Sequence, residues 1–259
     1  INGGTSGLRS NVKIRKAISY SIDREEMIDA VYGRYNPAYS YVAPAITFNG
    51  SSYRSQVGEV IEDEYNEYVG DPDKIVALFQ EGLDELGVET PIEDITLTYL
   101  TSGSTTEVQA EREYIQQSLE ETLGLTVELS VAGDNSLFIA DRNEGNYDFF
   151  LGGWYSDYND PLDFLYTNYT DAYGMSFGGY SNTDYDALAD QLVGETDMDK
   201  RLDIYKQMEQ ILLLDDCAFA PIYYATKQVL LQNWVKDYRT SSFGASAEFI
   251  WTYIDGKNQ

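Results

Sequence analysis

The chain has 259 residues, of which 43% are apolar, so it holds enough material for one large domain or two small ones and is not a disordered chain. Lys+Arg 17 against Asp+Glu 44 leaves a net charge of −27, which repels nucleic acid and anionic bilayers alike. There is no histidine, which excludes Ser-His-Asp and Cys-His catalysis, imidazole-ligated zinc and imidazole pH switching.

The chain starts at Ile1 rather than Met, with no basic segment followed by an apolar one, and reads as a piece of a longer or processed protein. No apolar run approaches the ~20 residues of a membrane span, so the visible chain reads as soluble. Asn11 is placed to cap a helix whose inward positions are Ile14, Ala17, Ile18 and Ile22. Asp23-Arg24-Glu25-Glu26 then forms a capping box, with Asp23 as N-cap, Glu26 at N3 and Ile22 stapled onto Met27; this second helix stops at Gly33. Pro37 and Pro44 mark an extended excursion. Asp71-Pro72 opens a third helix, with Ile75, Leu78, Phe79, Leu83 and Leu86 inward and Gly87 as its stop.

Strands over 95–100 and 125–131 flank a helix over 107–123 that Gly124 ends; this crossover unit predicts parallel strands and an α/β sheet. A short helix over 135–143 precedes 147–154, a nearly continuous apolar run that predicts a central strand covered on both faces and lying in the same sheet. Helices over 183–193 and 199–214 follow, then strands over 220–224 and 228–235; after Tyr238 the periodicity is lost. The single cysteine, Cys217, cannot form an internal disulfide, and its apolar neighbours Leu213, Leu214 and Phe219 predict a buried structural thiol.

The most informative stretch is Leu151-Gly152-Gly153-Trp154-Tyr155-Ser156-Asp157-Tyr158-Asn159-Asp160-Pro161. It follows a predicted strand, where ligands bind in open α/β sheets, and offers glycines for close backbone approach, aromatic walls and the Asp157 charge. A plain strand, turn and helix cap accounts for the same residues equally well. Asp157, Asp160 and Asp163 together raise the possibility of a carboxylate-pair glycoside hydrolase, although aspartates so spaced around a proline are more often turn and cap residues. A calcium loop over 157–168 fails at the sixth and twelfth positions, which hold Leu162 and Asn168. The sequons at Asn49 and Asn168 read as chance matches, the acidic run 59–67 as a solvated face, and Thr101–Thr106 as a loop and cap more than an anion nest.

Arg15-Lys16-Ala17-Ile18-Ser19-Tyr20-Ser21-Ile22-Asp23-Arg24-Glu25 resembles the most characteristic motif of the family 5 extracellular solute-binding proteins of bacterial ABC importers. Asp71-Pro72-Asp73-Lys74, the Gly-Trp-x-x-Asp-Tyr-x-Asp-Pro run at 153–161, Ala220-Pro221-Ile222 and Trp234-Val235-Lys236-Asp237-Tyr238 resemble later landmarks in the same order. The resemblance covers essentially the whole chain but only the carboxy-terminal lobe of such a receptor. It implies a type II periplasmic-binding-protein-like lobe, with a mixed, mostly parallel sheet flanked by helices. Residues 1–10 and 240–259 would be segments leading to a missing amino-terminal lobe. It also implies a receptor that captures an extended oligopeptide between two lobes by hinge closure and delivers it to the permease subunits of the transporter. The aspartate that pairs with the ligand ammonium falls on Asp157, the main-chain partners on Gly153 and Tyr155, and the tryptophan on Trp154, with Tyr158 and Asn159 completing the candidate set. Neither cofactor nor metal nor catalytic turnover is implied. The protein would be a monomer outside the cytoplasm, periplasmic or lipid-anchored at the outer face of the membrane. Relatives that take oligosaccharides or nickel complexes keep another solute open, since the 23 tyrosines suit sugar stacking as well.

Overall fold

The computed structural model describes residues 4–170, 179–245 and 247–257. Asn11 caps α1 (Val12–Tyr20) by accepting from the Lys13 and Ile14 N–H groups, and Asp23 caps α2 (Arg24–Met27) by accepting from Glu26 N at 3.0 Å. A π-helical turn, Ile28–Tyr32, prolongs α2 to Gly33. The excursion that follows holds β1 (Asn36–Pro37) and the hairpin β2 (Thr47–Phe48) to β3 (Ser51–Ser52). Asn49 and Gly50 turn that hairpin with φ of 47° and 80°, the signature of a tight Asn-Gly turn. Helices α3 (Tyr53–Val57) and α4 (Glu62–Tyr68) were not legible as a stripe, because α4 buries Tyr65 alone. Asp71 caps α5 (Pro72–Leu86), with Pro72 in its first turn and Gly87 at φ 68° closing it.

The sheet has three strands, β4 (Thr96–Ser102), β5 (Thr126–Ala132) and β6 (Phe149–Phe150), in the order β5-β4-β6. All its pairings are parallel, and α6 (Thr106–Leu123) makes the β4 to β5 crossover. The three predicted strands therefore do share one sheet, with two corrections. The central strand is β4, and 147–154 contributes only Phe149–Phe150 at the edge. From Leu151 onward the chain leaves the ladder at Gly152-Gly153, a pair that packs no side chain against a neighbouring strand. Antiparallel pairs lie outside this sheet, in small separate ladders.

Helix α7 (Asn135–Glu144) lies against β4 and β5, and α8 (Leu162–Leu165), α9 (Thr183–Gln191) and α10 (Met198–Gln210) follow, the last continuing as a π-helical turn to Asp215. Of the two late predicted strands, only β7 (Tyr223–Tyr224), paired with β1, and β8 (Val235–Lys236), paired with β9 (Tyr253–Ile254), form ladders. Cys217 is buried at φ 40°, and desolvation pushes its thiol up to about 11, as a structural thiol requires. Thr101 and Ser102 end β4 as strand residues, and only the remainder of the 101–106 run acts as loop and cap, with Thr105 capping α6 through Val108 N. Asn168 is fully buried, which removes its sequon as a modification site.

Apolar residues gather in two clusters. One joins α1, α5 and α6 to the sheet through Ile14, Phe79, Leu97, Tyr99, Ile115 and Val127. The other joins α8 to α10 and the 42–61 excursion through Val42, Tyr53, Leu165, Tyr185, Tyr205 and Met208. Arg24 is wholly buried between segments. Its guanidinium donates to the carbonyls of Ala38, Pro221, Ser19 and Ile22 and to the Ser19 hydroxyl, and stacks 4.2 Å over Tyr65. Five donors in a rigid fork suit such a junction of carbonyls, which gives the Ser21-Ile22-Asp23-Arg24-Glu25 run a structural reason for its pattern. In the second cluster Glu209, also wholly buried, accepts from Arg54 at 2.6 and 2.9 Å, from the Tyr53 hydroxyl and from the Tyr41 and Val42 N–H groups.

Candidate functional site

The segment 151–161 runs between the two clusters. Phe149 and Leu151 pack on the sheet cluster, whereas Trp154 and Leu162 pack on the helical one. Between these anchors the chain is irregular and exposed at Gly152, Gly153, Tyr155, Asp157, Tyr158 and Asn159. A Cβ on Gly152 would come within 2.9 Å of the Phe150 ring, which would have to shift, while Gly153 faces open space. Among the described residues, neither the main chain of Gly153, Trp154 and Tyr155 nor the Asp157 carboxylate has a hydrogen-bond partner. This is an unpaired strip of backbone ending in an unpaired, exposed charge.

The turn beyond it is fixed at several points. The buried Asp163 Oδ2 accepts from Trp154 Nε1 at 3.1 Å and from Asp157 N at 2.9 Å. Ser156 Oγ donates to the Tyr158 carbonyl, and the Ser156 carbonyl accepts from Gly244 N at 2.7 Å. Asp160 Oδ1 accepts from Leu162 N and from the Tyr205 hydroxyl. Asn159 uses both ends of its amide on Thr47, accepting from Thr47 N at 2.8 Å and donating to its hydroxyl at 2.6 Å. Burial raises the Tyr158 hydroxyl, and the carboxylates of Asp163, Asp160 and Asp157 raise it further, so the turn carries a concentrated negative field.

The sequence-predicted residues thus divide in two. Gly153, Trp154, Tyr155, Asp157 and Tyr158 present surface, Tyr155 at 85% exposure, and Asn159 is committed to the β2–β3 hairpin. Two of the three neighbouring carboxylates, Asp160 and Asp163, accept hydrogen bonds that hold the turn, which leaves Asp157 as the free member among the described residues. A largely apolar cavity of about 210 Å³ lies behind the segment, between Ile18 of α1, Ile22 beyond its end, Phe149 to Gly153, and Cys217 to Ala220 with Ile222.

Sequence reasoning missed the Asp163 clamp and the Thr47 contact, since their partners lie across a turn or 112 residues away and follow no period. It also missed Glu111 on α6, whose buried carboxylate accepts from the Tyr223 hydroxyl at 2.9 Å, while Tyr223 stacks on Tyr35 at 5.0 Å. Among the described residues, no helix is long and apolar enough to cross a membrane.

The profile of the bacterial extracellular solute-binding proteins, family 5 Middle, matches residues 5–176. Over 235 residues the chain is 31% identical to the oligopeptide-binding protein OppA of Bacillus subtilis (strain 168), covering 88% of this chain and 38% of that protein. Against the dipeptide-binding protein DppE of the same organism the identity is 32% over 225 residues, covering 86% and 39%. Among solved structures, Listeria monocytogenes OppA bound to peptide superposes with a TM-score of 0.77 at 31% identity, over 98% of this chain and 47% of that one. The chain therefore spans about two fifths of the length of the curated relatives it matches. With its α/β fold, its parallel sheet and a profile match over most of its length, the chain belongs to the bacterial extracellular solute-binding proteins of family 5.

Proposed function

We propose that the chain is the carboxy-terminal lobe of a peptide receptor of an ABC importer, and that it holds the amino end of an extended peptide on the 153–157 segment. The observation that supports this most directly is an exposed Asp157 carboxylate beside the main chain of Gly153 to Tyr155, neither of which has a hydrogen-bond partner among the described residues. An extended peptide adds backbone hydrogen bonds to such a strip, and its ammonium supplies the charge that Asp157 lacks. Trp154 and Tyr155 then wall the first residues of the ligand, and Tyr158 borders the charged end. Asn159 takes no ligand in this reading and fixes the turn. The names of the matched relatives, oligopeptide- and dipeptide-binding proteins, favour peptide over an oligosaccharide or a nickel complex.

The second wall of the cleft belongs to an amino-terminal lobe, reached through residues 1–10 and 240–259. The complete protein is a monomeric, extracytoplasmic receptor that hands its ligand to the permease without turning it over. A lobe alone binds peptides weakly, since affinity rests on contacts from both walls.

Calorimetry on the complete receptor, with one peptide in free and N-acetylated forms, tests this reading. Asp157→Asn keeps the shape and one acceptor oxygen but leaves a buried ammonium without its charge partner, a loss on the order of 3–5 kcal/mol, or two to four decades in Kd. The wild type rejects the acetylated peptide and the variant hardly distinguishes the two. Equal discrimination by both proteins would remove Asp157 from the site.

A further inference from the structure

Asp157 reaches its ligand from a turn that has no regular secondary structure, so something must hold that turn before the ligand arrives. Among the described residues, the main-chain hydrogen bonds near it leave 153–155 unpaired, and its side chains are exposed at Tyr155, Asp157 and Tyr158. Asp163 stands beneath it, 6% exposed, on α8. One of its oxygens, Oδ2, accepts from the Trp154 indole N–H at 3.1 Å and from the Asp157 main-chain N–H at 2.9 Å. The helix that carries it is itself anchored, because Phe164 and Leu165 are buried in the helical cluster and Asp163 N donates to the Asp160 carbonyl at 3.1 Å.

We propose that Asp163 is a positioning residue for ligand capture, a reading that rests on Asp157 as the ammonium partner. A single oxygen gathers both ends of the four residues Trp154 to Asp157, fixing the indole as a wall and the Asp157 backbone in one orientation. The Asp157 carboxylate is thereby aimed in the ligand-free protein, and the ordering of the turn is not charged against binding. What matters in this role is an acceptor oxygen at that point. The negative charge of Asp163 adds to the field at the site but does not set the geometry.

Asp163→Asn separates the two contributions, because an amide oxygen in place of Oδ2 still accepts both bonds while the charge is gone. Asp163→Ala removes the acceptor altogether. On the complete receptor, calorimetry with free and N-acetylated peptide is paired with hydrogen exchange at the Asp157 amide in the absence of ligand. The expected results for Asp163→Ala are a 10- to 100-fold weaker Kd for the free peptide, a smaller ratio between free and acetylated peptide, and faster exchange at Asp157. Asp163→Asn is expected to stay within about threefold of wild type in Kd and to keep the amide protected.

Should Asp163→Ala fail to fold, Asp163→Ser, too short to reach both donors, takes its place under the same readouts. Undiminished discrimination in Asp163→Ala overturns this role alone. An Asp163→Asn as weak as Asp163→Ala, with its amide still protected, overturns it in favour of charge. A wild type that fails to discriminate free from acetylated peptide overturns the ammonium reading and this role with it.

Discussion

Glu111 gives the fold a pH dependence that one substitution exposes. Its carboxylate is 7% exposed on α6, with one hydrogen bond from the Tyr223 hydroxyl at 2.9 Å. Desolvation pushes the carboxyl up to about 7 from its ordinary value of 4.5, and the Tyr223 bond offsets this only in part. Since the folded pKa lies above the unfolded one, the group is neutral in both states below about pH 4 and costs nothing there. Between about pH 4.5 and 7 the unfolded state ionises first and stability falls as pH rises. Above about 7 the loss is complete, and the rise from 4.5 to about 7 corresponds to about 3 kcal/mol. Glu111→Gln keeps an acceptor for Tyr223 and removes the charge. Urea titrations at pH 4, 6 and 8 should show the variant matching wild type at pH 4 and exceeding it by up to about 3 kcal/mol at pH 8, roughly 6–12 °C in Tm. Parallel stability profiles for the two proteins across this range would refute the reasoning.

Further outcomes follow from the packing. Arg54→Met leaves the wholly buried Glu209 without its 2.6 Å ion-pair partner and should destabilise by about 3–5 kcal/mol in urea titration, a loss below about 1 kcal/mol contradicting the buried network. The Cys217 thiol, buried and raised to about 11, should resist a thiol reagent at pH 8 in the native protein and react fully in urea; native labelling at the rate of a free thiol would contradict its placement. Asn159→Ala breaks both bonds to Thr47 and should lower stability by about 1–2 kcal/mol while costing less peptide affinity than Asp157→Asn. An affinity loss with unchanged stability would instead make Asn159 a ligand contact.

The elements that were legible in the sequence are those whose determinants are local. Asn11, Asp23 and Asp71 cap the helices they were placed before, Gly87 and Gly124 close theirs, and the alternation over 95–100 and 125–131 marks two parallel neighbours. The run 147–154 misled because apolar residues do not make a central strand without partners. Tyr147 is buried under Arg9, whose guanidinium lies 4.3 Å over its ring, and Trp154 belongs to the other core cluster, so the continuous run serves three different environments. Helix α4 escaped notice for the opposite reason, since only Tyr65 of its residues is buried and Glu64 faces Lys16 at 2.7 Å. At the site, the resemblance pointed to the segment, but what each residue does there depends on contacts from afar. Asn159 turned out to be tied to Thr47, and Asp163, which looked like a turn residue, holds both Trp154 and Asp157.

A crystal structure of the complete receptor with a free-amine oligopeptide shows whether Asp157 meets the peptide's amino terminus. The expected structure has the ligand ammonium within about 3 Å of an Asp157 carboxylate oxygen and the ligand backbone hydrogen-bonded to Gly153 and Tyr155. An ammonium held by other residues, with Asp157 still facing solvent and the 153–155 main chain still unpaired, would contradict it.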